Sequence, residues 1–171
     1  SAPGFAPERR TGVELRVGQT QDVVVKLALG TMSEQVTVSG EATRLDPTSA
    51  AVNATIDAKA ITDLPIRGRN FMEFVQLTPS VMQEANRSGI VVNGQRSINS
   101  NISIDGVDFN DSLQGNQRGG NDATFSFPQS AIREFQVVRS GAAAEVGRTN
   151  AGFVNVVTKG GTNAFSGETF Y

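Results

Sequence analysis

The stretch Ala131–Gly167, AIREFQVVRSGAAAEVGRTNAGFVNVVTKGGTNAFSG, decides how the rest of the chain is read. Just ahead of it, Pro128-Gln129-Ser130 with Ala131 and Ile132 predicts one helical turn, because proline suits a first helical position, where no N–H is needed. Phe135-Gln136-Val137-Val138 predicts a strand. Gly141-Ala142-Ala143-Ala144-Glu145-Val146-Gly147 is a corner of small residues, compact enough for one tight helical turn. Phe153–Thr158 (FVNVVT) predicts a second strand, β-branched and mostly apolar, and is expected to be buried on both faces. Lys159-Gly160-Gly161-Thr162-Asn163 ends it with a turn.

Within this stretch Glu134, Val137, Arg139, Gly141, Gly147, Gly152, Asn155, Val156, Thr158 and Lys159 stand at a fixed set of spacings. Together they resemble the close of the plug domain of TonB-dependent outer-membrane transporters. An ordinary strand–turn–strand unit accounts for the hydrophobic pattern but not for the whole string. The resemblance implies a plug that sits inside a β-barrel and blocks its lumen.

Composition narrows the alternatives. The 171 residues suffice for one ordinary domain or two small ones. Lys and Arg number 15 against 17 Asp and Glu, for a net charge of -2, so no basic stripe or polybasic run points to nucleic acid or anionic lipid. Cysteine is absent, which removes disulfide and thiolate chemistry. Histidine is absent too, which removes the usual general base and the commonest metal ligand. Eighteen glycines suit a β-rich chain with many turns. There is no nucleophile elbow, phosphate loop or dinucleotide fingerprint, so neither an enzyme nor a cofactor is expected. No apolar run approaches the roughly 18 residues of a spanning helix. No signal peptide is visible at Ser1, so an export signal is expected to have been removed or to lie outside this chain.

At the N-terminal side, Thr11–Val17 alternates apolar and polar residues, the period of a half-buried strand. Gly18-Gln19-Thr20-Gln21 predicts a turn and Asp22–Leu29 (DVVVKLAL) a partner strand. Gly4, Phe5, Val13, Leu15, Val17, Gly18, Gln19 and Thr20 are similar to the closing pattern of a carboxypeptidase-regulatory-like β-sandwich, and any immunoglobulin-like hairpin is the plainer reading. Residues 1–33 are accordingly expected to be the last strands of such a sandwich. Glu34–Gly40 (EQVTVSG) reads either as one more sandwich strand or, from its place ahead of the plug, as a TonB box made of Glu34, Gln35, Val36, Thr37, Val38 and Ser39. An extended β-prone peptide suits that role, since it can add as a strand to a partner's sheet.

Residues 41–54 are polar and read as a linker, giving a box-and-linker region over 34–54 and a plug over 55–163. Thr55–Leu64 predicts a helix capped by Thr55 or Asp57, with Ile61 and Leu64 on one face and Pro65 ending it. Asn70 predicts the cap of a second helix, Phe71–Leu77, with Phe71, Phe74, Val75 and Leu77 as its apolar stripe. The runs around Leu64-Pro65, Gly68-Arg69-Asn70-Phe71 and Leu77-Thr78-Pro79-Ser80-Val81 resemble the early plug of the Oar-like branch of the family. Arg67 and Arg69 are either solvated loop residues or, in the family reading, face the polar lumen wall.

Ile90–Arg96 and Ile102–Val107 predict two further strands, with Asp105-Gly106 a turn signal. Arg96, Asp105 and Gly106 match the middle of the family's plug. Asp105, Asp108, Asn110 and Asp111 are rich in oxygen, yet they do not follow the EF-hand order, and no metal site is expected. Leu113–Ala123 is a Gly- and Asn-rich loop; in the family such loops meet substrate, which makes Gln114, Asn116, Arg118 and Asn121 the candidates here. Residues 164–171 alternate and are expected to begin the first barrel strand.

The fold class expected is therefore α+β: a β-sandwich remnant followed by a plug with a mixed sheet and short flanking helices. The resemblance implies a gate on substrate uptake in the outer membrane of a Gram-negative-type bacterium. Its partners would be TonB, by strand addition, and the β-barrel of the same transporter. The alternative expectation starts from the ends of the chain, which look like a cut sandwich and a cut barrel strand. Strands without neighbours template pairing between copies, so a processed fragment that assembles into an extracellular filament is the second reading, and an excerpt from a larger protein is the plainer one.

Overall fold

The computed structural model describes residues 4–6, 8–27, 29, 36–39, 50–65, 70–85, 89–111, 127–167 and 169. The chain divides into two compact units, Ser1–Ser49 and Ala50–Tyr171.

In the first unit, β1 (Glu8–Thr11) pairs in parallel with β2 (Val36–Ser39). Phe5 and Leu29 form an isolated antiparallel bridge. The hairpin expected from Thr11–Val17 and Asp22–Leu29 does not form. Its turn is present, with the Gln19 N–H donating to the Arg16 carbonyl at 3.2 Å, but residues 12–27 lie outside any strand. Burial gives the reason. Val13, Leu15, Val23, Val24, Val25 and Leu27 are all exposed, so the alternation has no apolar surface to settle on. Two strands without such a surface are marginal in water. The carboxypeptidase-like motif thus falls on a segment that lacks the strands it implies.

The second unit runs β3 (Val52–Ile56), α1 (Ala58–Asp63), α2 (Phe71–Val75), β4 (Val81–Gln83), β5 (Ile90–Val92), β6 (Asn101–Ile104), β7 (Val107–Asp108), β8 (Ile132–Ser140) and β9 (Phe153–Thr158). Single 3-10 turns lie at Ser97–Asn99 and Gln129–Ala131. The main sheet has the order β3-β8-β9-β6-β7, and β4 and β5 form a separate hairpin. Only β6 and β9 pair in parallel within the five-stranded sheet; its other pairings are antiparallel. This is the mixed sheet with short helices that the sequence predicts.

Local chemistry explains the elements. Asp57 caps α1 by accepting from the Ala60 N–H at 3.0 Å, while Thr55, the other candidate cap, lies inside β3. Asn70 caps α2 by accepting from the Met72 N–H at 3.1 Å. Both helices turn apolar residues inward: Ile61 from the first, Phe71, Met72, Phe74 and Val75 from the second. Leu64 and Leu77, expected on those stripes, are exposed because each helix has ended before it reaches them.

Several boundaries differ from expectation. Residues 52–54, read as linker, belong to β3 and pair with β8. The run Ile90–Arg96 is broken after Val92 by a turn in which Asn93 and Gly94 have φ of 52° and 76°. The 141–147 corner makes one hydrogen-bonded turn, Val146 N–H to the Ala143 carbonyl at 2.9 Å, and no helix. None of the described residues beyond 163 is in a strand. Strand β9 is where it was expected, yet it is fully buried on one face only.

The register makes the two faces of the sheet unlike. One row runs Ile56, Phe135, Val156, Ile104 and Val107; the next runs Ala54, Val137, Val154 and Ile102. All of these except Ala54 and the exposed Val107 pack with Phe71, Phe74, Val75, Val81, Ile90 and Val92 into the core. A bulge in β8 between Ile132 and Glu134 lets Ile132 join that same core. On the opposite face, one row crosses all five strands as Thr55, Gln136, Asn155, Ser103 and Asp108.

Candidate functional site

The motif residues gather at the two ends of the sheet. At the end where β9 and β6 begin, two glycines are required by contact. A Cβ on Gly152 would lie 2.6–2.8 Å from the Val92 side chain, so the strand entry packs directly on the hairpin. A Cβ on Gly141 would lie 2.6 Å from the Ala50 carbonyl oxygen, and its φ of 67° strains any other residue as well. Gly147 has no such neighbour; its carbonyl accepts from Asn101 Nδ2 at 2.9 Å. Arg139 is held at both its main chain and its side chain. Its carbonyl accepts from Asn93 Nδ2 at 2.9 Å, and its Nη1 donates to the Pro79 carbonyl at 3.2 Å.

At the opposite end, Asp105 and Gly106 turn β6 into β7 with φ of 50° and 82°. Both angles are positive, as a two-residue hairpin turn requires. The Asp105 carboxylate also reaches across the parallel pair. It accepts from the Thr158 N–H at 2.9 Å and from Thr158 Oγ1 at 2.7 Å. The backbone bond first, then the hydroxyl bond, hold its carboxyl below the ordinary value of 3.8. Beside it the Lys159 N–H donates to the Ala131 carbonyl at 2.8 Å, while the Lys159 side chain is exposed. Glu134 is buried on the face opposite the core, aligned with Val157, and is paired by Arg133 Nη2 at 3.3 Å.

Between the ends lies the polar row. Ser103 Oγ donates to Asn155 Oδ1 at 3.2 Å, so the parallel pair is joined by side chains as well as by main chain. Gln136 and Ser103 at its middle are only 6% and 8% exposed, Thr55 and Asn155 are half-buried, and Asp108 at the sheet edge is exposed. Asn110 donates to Asn101 Oδ1 and continues the polar patch.

Arg96 sits apart, with its Nε 3.6 Å from Glu84 Oε1. Glu84 also accepts from the Ser97 N–H at 3.1 Å and from its hydroxyl, which fixes the approach to β6. Sequence reading missed Glu84, and it missed Arg148, which pairs with Asp108. No spacing rule points to either, because each partner comes from a distant segment. Asp108 is therefore occupied by a guanidinium, and no cluster of three or more acidic, His or Cys residues that could hold a metal occurs among the described residues.

Of the TonB-box candidates, Val36, Thr37, Val38 and Ser39 form β2, while Glu34 and Gln35 lie outside the described residues. The substrate-loop candidates Gln114, Asn116, Arg118 and Asn121 lie outside them as well, as do Arg67 and Arg69. Among the described residues no helix is long and apolar enough to cross a membrane.

The family described as TonB-dependent Receptor Plug Domain matches residues 44–154. The TonB-dependent transporter Oar of Myxococcus xanthus is 25% identical over 174 aligned positions, which cover 97% of this chain and 16% of that protein. The outer membrane transporter YddB of Escherichia coli superimposes with a TM-score of 0.53 at 18% identity, over 63% of this chain and 17% of that one. The siderophore receptor PirA of Pseudomonas aeruginosa is 23% identical over 64% of this chain and 19% of that one, with a TM-score of 0.47. The chain thus spans about a sixth to a fifth of the length of these relatives.

Proposed function

The chain belongs to the family of TonB-dependent receptor plug domains, and on that premise we propose that it closes the lumen of its transporter's own β-barrel and gates substrate uptake on a pull from TonB. The observation that carries this reading is the family match across residues 44–154. The second face of the sheet supports it. Barrels of this class have a polar interior, and a row of Thr55, Gln136, Asn155, Ser103 and Asp108 suits those surroundings better than a second apolar face would.

In this reading the plug begins by Ala50, where the second unit starts, and extends through residue 163. Residues 164–171 lead into the barrel, and residues 1–33 remain a sandwich end by motif alone. Residues 34–39 receive TonB by strand addition, and the loop holding Gln114, Asn116, Arg118 and Asn121 meets substrate. The setting is the outer membrane of a Gram-negative-type bacterium, as for the transporters it resembles. The test is conductance in planar bilayers, comparing the full-length transporter with a variant lacking residues 50–163. A closed parent and an open, steadily conducting variant are expected. Equal, closed traces would overturn the gating role.

The filament reading draws on one observation: Val23, Val24, Val25 and Leu27 form an exposed, β-prone apolar run. Light scattering and negative-stain microscopy of the purified chain separate the readings. Particles of about the 18.1 kDa chain mass fit the plug, and long regular fibres fit strand exchange between copies.

A further inference from the structure

Asn93-Gly94 is the only Asn-Gly pair in the sequence. It makes the two-residue turn of the β4–β5 hairpin, closed by the Gln95 N–H donating to the Val92 carbonyl at 3.0 Å. A glycine after an asparagine hinders its neighbour least, so its main-chain nitrogen can reach the asparagine side-chain amide. Both residues are exposed, and a Cβ on Gly94 would meet nothing within 4 Å. The Gly94 N–H donates to no described residue. The nucleophile for a ring closure between main chain and side chain is therefore free and open to solvent.

The electrophile is tied down. Asn93 Nδ2 donates to the Arg139 carbonyl at 2.9 Å, near the end of β8. The Asn93 N–H donates to the Ser80 carbonyl at 2.9 Å, and Arg139 Nη1 holds the adjoining Pro79 carbonyl at 3.2 Å. The amide has to leave the Arg139 carbonyl before it can swing over its own main chain. Asp105-Gly106 makes a similar turn, with φ of 50° and 82°, and Thr158 holds its side chain in the same way. An ionised carboxylate is a poor electrophile, so that turn serves as an internal comparison.

We propose that Asn93 is a site of spontaneous deamidation, gated by its tie to β8. The Gly94 nitrogen, its proton taken by hydroxide, bonds to Asn93 Cγ. The Cγ–Nδ2 bond breaks, and Nδ2 leaves as ammonia with a proton from water. Water then opens the succinimide at either carbonyl, which leaves aspartate or isoaspartate. Neither product, ionised at neutral pH, can donate to the Arg139 carbonyl. Isoaspartate also adds a main-chain carbon to a two-residue turn, which breaks the Val92–Gln95 closure. Val92 packs directly on Gly152, so the disturbance reaches the entry of β9. The change is one-way, loosens the hairpin from β8, and does not depend on the barrel-closing role.

The chain is incubated in heavy-oxygen water at mildly alkaline pH, folded and in urea. Peptide mass mapping locates the label, and methyl transfer by an isoaspartyl methyltransferase measures isoaspartate. In urea Asn93 is expected to take up label before every other asparagine, with Asp105 unchanged. In the folded chain the same site should react first, roughly ten- to a hundredfold more slowly, as a modest cost of local opening imposes. Arg139→Gln frees the Pro79 carbonyl without touching Asn93 or Gly94. It should speed the folded reaction severalfold and leave the reaction in urea unchanged. Circular dichroism checks that this variant is folded; if it is not, sub-denaturing urea on the parent chain takes its place, with the same acceleration expected. Equal rates in folded and unfolded chain, or no acceleration on loosening, would overturn the gating. Folded chain that takes up no label at Asn93, or takes it up first at another asparagine, would overturn the site.

Discussion

Phe135 and Gln136 are neighbours in β8 and both are nearly dry, yet they belong to different surroundings. Phe135 stands in a row of apolar side chains and its ring lies 6.4 Å from that of Phe74. Gln136 stands in a row that is polar in every strand. Burial alone therefore does not identify the core of this unit; the register does. The apolar rows, the helices and the β4–β5 hairpin build one packed interior. The polar row is no part of it: Gln136 and Ser103 are buried, Thr55 and Asn155 are half-buried, and Asp108 at the sheet edge is exposed.

The contrast can be broken from either side. The largest loss is expected for Phe74→Ala, which empties the space under Phe135 and should cost about 3–5 kcal/mol in denaturant unfolding. Gly152→Ala adds a methyl against Val92, itself fully buried, and should cost about 1–3 kcal/mol as overpacking. Val92→Ala in the same chain should return part of the Gly152→Ala loss, because it removes the atoms that the new methyl meets. Ser103→Ala deletes one hydrogen bond in the polar row, the one to Asn155, and should cost about 1 kcal/mol.

The smallest effect concerns Asp105 and is read through pH. Its folded carboxyl titrates below the ordinary value of 3.8, so its contribution is complete above that value and is lost as pH falls through the folded one. Asp105→Asn should therefore lower the thermal midpoint slightly at neutral pH. The gap from the parent should close in acid, below 3.8. A gap that is constant with pH would assign Asp105 to turn geometry alone.

Much of the core face was legible in sequence. Strand β9 and the caps Asp57 and Asn70 each follow from local chemistry. So does the Asp105-Gly106 turn, which needs no distant partner to be recognised. What escaped depends on partners far along the chain. Val52-Asn53-Ala54-Thr55-Ile56 alternates only weakly, and its mate in β8 is some eighty residues on. The Asn93-Gly94 turn was hidden by the apolar run before it, although that pair is a strong hairpin signal. Thr11–Val17 and Asp22–Leu29 failed the other way: alternation is permission to form a strand, and here no surface accepts it. In the candidate site the spacing of Gly141 and Gly152 marked them in advance, and each meets a neighbour that leaves no room for a side chain. Glu84, Arg148 and the polar row were invisible until the register placed their partners beside them.

One paired measurement bears most directly on the two-faced sheet: denaturant unfolding of Val137→Asn beside that of Gln136→Val. The first buries an amide among apolar side chains and should remove about 1–3 kcal/mol or more. The second places an apolar side chain in the polar row and should stay within about 1 kcal/mol of the parent. Equal losses, or a larger loss from Gln136→Val, would contradict the division of this sheet into core rows and a polar row on the opposite face.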